Sequence, residues 1–338
     1  MPKNPARTTT LDQVADRAGV SRSAASRAIN NAPYVSRATK LAVEQAVRDL
    51  GYVPNSAARA LASRHAGAVI LAIANEDARI FADPFFGEVA LGITTALEKT
   101  DLDLLLVLAH GQGGRARLQR TLRAPRADGI MLLALEVGDP ILAAASASGL
   151  PVVVCGQPLD SSIPFYVDAD NEGGGRLAAN HLMAIGRRRL AVISGPQDTQ
   201  AGVARHRGFC DTLTLAGWGL AGAQFSDFTR QGGITAMRRL LEDHPDIDGV
   251  FAASDNMAAG ALHALRTHGR SVPEDVAVVG FDDLPVAQHT DPELTTIHQP
   301  IQQLGLQMAN MLISAMDGGS PSPLILPTRL VVRASAPL

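Results

Sequence analysis

TLDQVADRAGVSRSAASRAIN, residues Thr10–Asn30, holds two helical patterns separated by a single glycine. Thr10 and Gln13 fit a capping box, in which the hydroxyl takes the third helical amide and the glutamine reaches back to the cap. Leu11, Val14, Ala15 and Ala18 then fall on one face. Gly19 suits the helix end, where a left-handed residue costs least. Ser21 can cap a second helix, from Arg22 to Asn30. Ser36 can cap a third that runs to about Leu50 and stops at Gly51, with Leu41, Val43, Val47 and Leu50 as most of its apolar positions. Two short helices joined by a tight glycine turn make a helix-turn-helix pattern.

The second helix needs only one narrow apolar seam, through Ala25, Ala28 and Ile29. Its other face can meet DNA. Arg22 and Ser23 stand at its N-terminus, where such helices touch base edges. Arg27 follows about one turn later, and an arginine can pair bidentately with guanine O6 and N7. Thr10, Ser21, Ser26 and Asn30 are short groups suited to phosphates, which position the helix without reading sequence. The competing reading is a three-helix cap with solvated arginines. Charge favours DNA. Residues 1–65 carry ten Lys and Arg against four Asp and Glu, a net of +6, while the rest carries twenty against twenty-nine, a net of −9. A small basic head on an acidic body predicts an anionic partner for the head alone.

At 338 residues, with 46% hydrophobic content, the chain can build two or three domains. The polar start, MPKNPARTTT, does not read as a secretory signal. No apolar run approaches the roughly 18–20 residues of a membrane span. Cys155 and Cys210 lie far apart, without metal or redox spacing, and read as two reduced buried thiols of a cytoplasmic protein.

The run TLDQVADRAGVSRSAASRAINNAPYVSRATKLAVEQAVRDLGYVPNSAARALAS resembles, without a gap, the DNA-binding head of the lactose-repressor (LacI/GalR) family of bacterial transcription regulators. The family commonly has Thr-Val where this chain has Ala24-Ala25, which thins the seam and removes a possible hydroxyl contact. After Tyr52, Asn55 can cap a short helix from Ser56 to about Ser63. Isolated helices below about 12–15 residues are marginal in water, so this one should form only against a partner. The resemblance implies that it folds on DNA, two hinge helices of a dimer lying in the minor groove with Leu61 wedged into the central base step. Asn55, Ala58 and Arg59 match other hinge contact positions. The expected DNA-contacting set is completed by Leu11 and Tyr52. The alternative is a linker whose Leu61 packs on the body.

From Ala68 the pattern changes. VILAIA (69–74), DLLLVLA (103–109), GIMLLA (129–134), PVVVCG (151–156), LAVISG (190–195), GVFAAS (249–254) and VAVVGF (276–281) are continuous apolar runs that predict buried parallel strands. Helices are expected over about 86–99, 115–123, 139–148, 172–185, 202–216, 231–243, 256–268 and 300–316. The fold class is therefore α/β: an all-α helix-turn-helix head on a two-lobed body with parallel sheets. The words ADPFFGEVALGI, DADNEGGGRLAANHLMAIGRRRLAVISGP, ARHRGF, FAASDNMAAGAL and VAVVGFDDLPVAQHTDPELTTIHQP make the body resemble a periplasmic-binding-protein-type pair of lobes. That topology implies three crossovers. The expected domains are 1–54 for the head and 55–66 for the hinge helix and linker. The body is 67–338, its first lobe about 67–167 and 295–325 and its second about 168–294 and 326–338.

Ligands of such lobes bind between them, near the C-terminal ends of strands. Arg205, in ARHRGF, and Gln299, after LTTIH, match family effector positions. Asp282 follows the VAVVGF strand, and Ser254 and Asp255 end the GVFAAS strand. Carboxylate, guanidinium and amide groups on one cleft suit a polyhydroxylated ligand, because each hydroxyl both donates and accepts. Phe85, Phe86 and Phe228 could stack on a sugar ring; plain core is the other reading for each. For Arg205 and Asp282 the other reading is a structural interlobe ion pair. Gly156 stands where the lactose-type repressor has an aspartate, so the ligand need not be a galactoside. Gly173-Gly174-Gly175 lacks phosphate-loop spacing, and Arg187-Arg188-Arg189 reads as solvated surface. Asp282 and Asp283 should point apart, which argues against a shared metal or proton. No activated nucleophile is visible beside Asp255, Asp282 and His298.

These readings predict a DNA-binding regulator, a repressor, controlled by a small sugar and needing no cofactor or metal. Its partners would be a pseudo-palindromic operator, a mono- or oligosaccharide and a second copy of the chain, with no membrane. A dimer is expected because RLVVRASAPL lacks the heptad helix of tetramerising members. The alternatives are a sugar-binding protein without DNA function, which the basic head opposes, and a sugar-directed enzyme, which no catalytic constellation supports.

Overall fold

The computed structural model describes residues 9–30, 34–53, 65–75, 83–123, 126–133, 138–158 and 165–338. The chain divides into two compact units, Met1–Ala66 and Gly67–Leu338, here the head and the body. The hinge segment, with Asn55, Ala58, Arg59 and Leu61, lies outside the described residues.

In the head, α1 spans Leu11–Ala18, α2 Arg22–Ile29 and α3 Arg37–Leu50. Each begins where a side-chain cap is available. Thr10 and Gln13 form the reciprocal box, Ser21 accepts from the Ala24 amide and Ser36 from the Thr39 amide. Gly19 and Gly51 close α1 and α3 in the left-handed conformation, at φ 65° and 58°. Val14, Ala15, Ala25, Ala28, Val43 and Ala46 form the core. Leu41, expected on the apolar face of α3, is instead exposed, and the smaller Ala46 takes the inner position.

Among the described residues the body holds two six-stranded sheets. The first contains β1 (Ala68–Asn75), β2 (Asp103–His110), β3 (Gly129–Leu133), β4 (Val152–Cys155), β5 (Tyr166–Ala169) and β11 (Leu324–Leu326), in the order β11-β5-β4-β3-β1-β2. The second contains β6 (Leu190–Ser194), β7 (Gly222–Phe225), β8 (Gly249–Ala252), β9 (Ala277–Asp282), β10 (Thr295–His298) and β12 (Arg329–Val331), in the order β12-β10-β9-β8-β6-β7. Pairing is parallel except between β10 and β12. Around the first sheet lie α4 (Pro84–Leu97), α5 (Gly111–Leu122), α6 (Pro140–Ser146) and α11 (Ile301–Met316). Around the second lie α7 (Asn171–Ala184), α8 (Gln200–Leu215), α9 (Arg230–Asp243) and α10 (Asp255–Thr267). Central apolar strands of four to eight residues with both faces covered give each lobe its core.

Three details correct the sequence reading. Thr295–His298 is a strand of the second sheet, so the return to the first lobe comes after Gln299 rather than at about 295. Asp168 and Ala169 still belong to the first sheet through β5. β2 is not a buried strand: it sits at the sheet edge with Leu105, Leu106 and Leu108 exposed.

Gly173-Gly174-Gly175 finds its use in packing. A Cβ on Gly175 would run into the Arg205 carbonyl, and one on Gly208 into the Glu172 carbonyl. The backbones of α7 and α8 therefore touch. This close approach brings Asn171 and Arg205 to the same end of the second lobe.

Candidate nucleic-acid interface and ligand cleft

On α2 the expected contact residues share the outer surface. Arg22, Ser23, Arg27 and Asn30 are exposed, as are the caps Thr10 and Ser21, and Ser26 is half-buried. Arg22 lies 3.4 Å from the Asp12 carboxylate with both side chains largely in solvent. Such an exposed pair is worth little, so Arg22 can leave it for a base edge. Arg27 Nε donates to the Ser23 carbonyl at 3.3 Å, and Ser21 and Ser23 hydroxyls lie 3.1 Å apart. Leu11 and Tyr52 are half-buried against the head core, so packing occupies much of both side chains. The Ala24-Ala25 pair places Ala25 in the core and Ala24 half-exposed.

The second site is a cleft of about 360 Å³ between the lobes of the body. It is lined at the C-terminal ends of β1, β3, β4, β8 and β9, where doubly wound sheets bind ligands. Its anchor is Arg205 on α8, buried to 5% exposure. The guanidinium donates to Asn171 Oδ1 at 2.8 Å, to the Ala253 carbonyl at 2.7 Å and to Asp282 Oδ1 at 3.1 Å. Its Cζ lies over the Phe281 ring, 3.6 Å from the ring centre. Gln299 donates to the same Asp282 oxygen at 2.6 Å. Burial pushes the Asp282 carboxyl up to about 7, against the pull of Arg205 and with added repulsion from Asp83. Asp282 and Asp283 sit at φ 111° and 60°, where non-glycine residues are strained. The turn aims them apart: Asp283 takes His298 at 3.0 Å and Arg333 at 2.7 Å, away from Arg205.

Phe85, Phe86 and Phe228 all line the cleft. Phe85 and Phe86 meet edge to face at 5.5 Å, and Phe86 is also part of the first-lobe core. Ser254 lines the cleft but spends its hydroxyl capping α10. Asp255 is a correction. It is fully buried behind the site, where it accepts from the Leu284 amide at 2.7 Å and the Thr296 hydroxyl at 2.5 Å. Burial, then the nearby Asp282, pushes its carboxyl well up. Adjacent positions at the start of a helix diverge, so Ser254 and Asp255 cannot both face the cleft.

Four cleft groups escaped the sequence reading. Asp83 caps α4 by accepting from Phe85 N at 2.9 Å and reaches across the cleft to Asn256 Nδ2 at 3.1 Å. Asp168 accepts from the Gln157 and Ala169 amides and from Asn171. Burial pushes the carboxyls of both aspartates up. Asn171 bridges Asp168 to Arg205. Gln200 Oε1 is buried with no hydrogen-bond partner among the described residues. The Asp83-Pro84 step was a readable helix start; the others carry no local signal.

The Arg187–Arg189 run is not simply solvated. Arg187 donates to the carbonyls of Pro273 and Glu274, Arg188 lies 4.8 Å over Trp218, and Arg189 pairs with Asp246 at 2.8 Å. Both cysteines are free, and burial raises their thiol pKa values, to about 11 for Cys210. Among the described residues no helix is long and apolar enough to cross a membrane.

The profile of bacterial regulatory proteins of the lacI family matches residues 10–55, and that of the periplasmic binding protein-like domain matches 179–336. The HTH-type transcriptional regulator CelR of Thermobifida fusca is 44% identical over 96% of this chain and 98% of its own length. The ribose operon repressor of Escherichia coli K12 is 33% identical over 90% of this chain and 92% of its own. A transcriptional regulator CelR-cellobiose complex superimposes with a TM-score of 0.76 and 41% identity, covering 97% of this chain and 99% of that one. A lac repressor dimer bound to operator and an anti-inducer superimposes with a TM-score of 0.87 and 26% identity, covering 98% and 100%.

Proposed function

The chain belongs to the lacI family of bacterial regulatory proteins, and from that premise we propose that it is a dimeric repressor released or recruited by a β-linked glucose disaccharide of the cellobiose type. It is a sequence-specific DNA-binding transcriptional regulator rather than an enzyme. The observation that carries the effector reading is the cleft floor. Arg205, Asp282 and Gln299 line it together with Phe85, Phe86 and Gln200, whose Oε1 has no partner among the described residues. Hydroxyls satisfy the polar floor and aromatic rings cover the apolar face of a pyranose. The cavity falls within the roughly 300–1,000 Å³ of small-molecule sites, and the likeness to a CelR-cellobiose complex supports this sugar class.

Exposed apolar edges support docking of a second copy. Leu91 on α4 and Leu105, Leu106 and Leu108 on β2 are exposed together at one edge of the first lobe. Leu220 and Phe225 are exposed at and beside β7, the corresponding edge of the second. Exposed apolar edges of this kind invite pairing. Dimer symmetry then gives a roughly palindromic operator. The protein would act in the bacterial cytoplasm.

The test is a gel shift with promoter DNA and titration of the full chain with cellobiose, glucose and lactose. The expected result is operator binding that changes with cellobiose and much less with the other two. Operator binding indifferent to every sugar that binds the cleft would reject sugar control. Leu106→Lys should shift the chain to a monomer in light scattering and weaken operator binding at least tenfold; a persistent dimer would place the interface elsewhere.

A further inference from the structure

The body is acidic, but one element of it is not. Between Asp103 and Asp128 there is no carboxylate, and Arg115, Arg117, Arg120, Arg123 and Arg126 all fall in this interval. Arg115 is partly buried and pairs with Asp139. The other four are exposed, and among the described residues none has a carboxylate partner. Leu118 and Leu122 are the buried residues of α5. At 100° per residue, Arg117, Arg120 and Arg123 therefore fan across the opposite, outer surface.

Position gives the stripe its meaning. α5 starts after β2, at the cleft end of the first sheet, because His110 pairs with Asn75 and Asn75 lines the cleft. It runs back to the far end, where Asp128 binds the Gly67 amide at 2.7 Å and its own amide donates to the Ala68 carbonyl at 2.7 Å. Arg120, Arg123 and Arg126 therefore cluster at the end of the body where the chain arrives from the head, remote from the cleft.

We propose that this arginine stripe of α5 is a second DNA-contacting surface, which binds the phosphate backbone of the duplex held by the head. The inference rests on the regulator reading above and extends it: the anionic partner is shared by head and body. Exposed guanidiniums without a carboxylate partner among the described residues fit a polyanion, and phosphates are the polyanion that the head would bind. Such contacts add affinity and salt dependence without reading sequence.

The test compares the full-length chain with its R120Q/R123Q/R126Q and R120K/R123K/R126K variants. Operator affinity is measured from low to moderate KCl, and cellobiose affinity in parallel. The slope of log K against log [KCl] falls by about 0.9 for each phosphate that is no longer neutralised. The glutamine variant should therefore have a slope shallower by about 2 to 3, while half-site base preference and cleft affinity stay unchanged, and the lysine variant should keep the wild-type slope. An unaltered slope in the glutamine variant overturns the proposal, as an acidic protein partner for this face would produce. A reduced slope with cleft affinity also abolished overturns it in favour of a structural role. Wild-type protein that binds no duplex at any salt would instead remove the regulator reading.

Discussion

At the scale of single residues, the two sites use arginine in opposite ways. Arg22 is exposed and weakly paired, so its guanidinium is available to a partner. Arg205 is enclosed by Asn171, Asp282, the Ala253 carbonyl and Phe281. Arg22→Ala should cost about 1–3 kcal/mol and relax preference at one base pair per half-site, read by binding to single-substituted operators; a uniform loss across them would assign Arg22 to phosphate. Asp282 gives a pH signature. Its folded carboxyl titrates near 7 because it is buried, well above the ordinary 3.8. The folded state therefore holds this proton more readily than the unfolded chain, and stability falls as pH rises from about 4 to about 7. Asp83, Asp168 and Asp255, also raised by burial, act in the same direction, while the lowered His206 acts against them. Thermal unfolding without ligand should give a higher Tm at pH 5.5 than at pH 7.5, and Asp282→Asn should flatten the difference. The reverse slope would contradict the assignment.

At the scale of elements, what was legible followed from local chemistry. Thr10, Ser21, Ser36, Gly19 and Gly51 mark the head helices because caps act on their own backbone. The long apolar runs marked the central strands for a similar reason. The strands β5, β7, β10, β11 and β12, of three or four residues, have no periodicity to read and form through neighbours distant in sequence. Asp255 misled because a carboxylate after a strand can face either the cleft or the interior, and only Thr296 and the Leu284 amide decide which. Asp83 and Asn256 show what sequence cannot: helix starts in different lobes meet across the cleft through one hydrogen bond. Asn256→Ala removes that bond and leaves the Asp83 cap intact, so it should change effector affinity severalfold with little loss of stability. Equal affinity in calorimetric titration would mean that the bond does not report on lobe closure. Gly208→Ala sets a methyl against the Glu172 carbonyl and should cost about 1–3 kcal/mol in denaturant unfolding. An unchanged midpoint would mean that α7 and α8 separate easily.

At the scale of the whole molecule, the cleft is walled by both lobes of the body. A ligand held as proposed, by Arg205, Asp282 and Gln299 on one side and by Phe85 and Phe86 on the other, would prefer one lobe angle, and only such a preference could shift the operator equilibrium. Coupling of this kind is reciprocal and typically about 5- to 150-fold. The most direct measurement is a closed thermodynamic cycle on the full-length chain: operator Kd with and without saturating disaccharide, and disaccharide Kd with and without saturating operator. The expected result is that both ratios depart from one by the same factor, and that Arg205→Ala abolishes disaccharide binding while leaving sugar-free operator binding in place. Disaccharide that fills the cleft while operator Kd stays unchanged would contradict it.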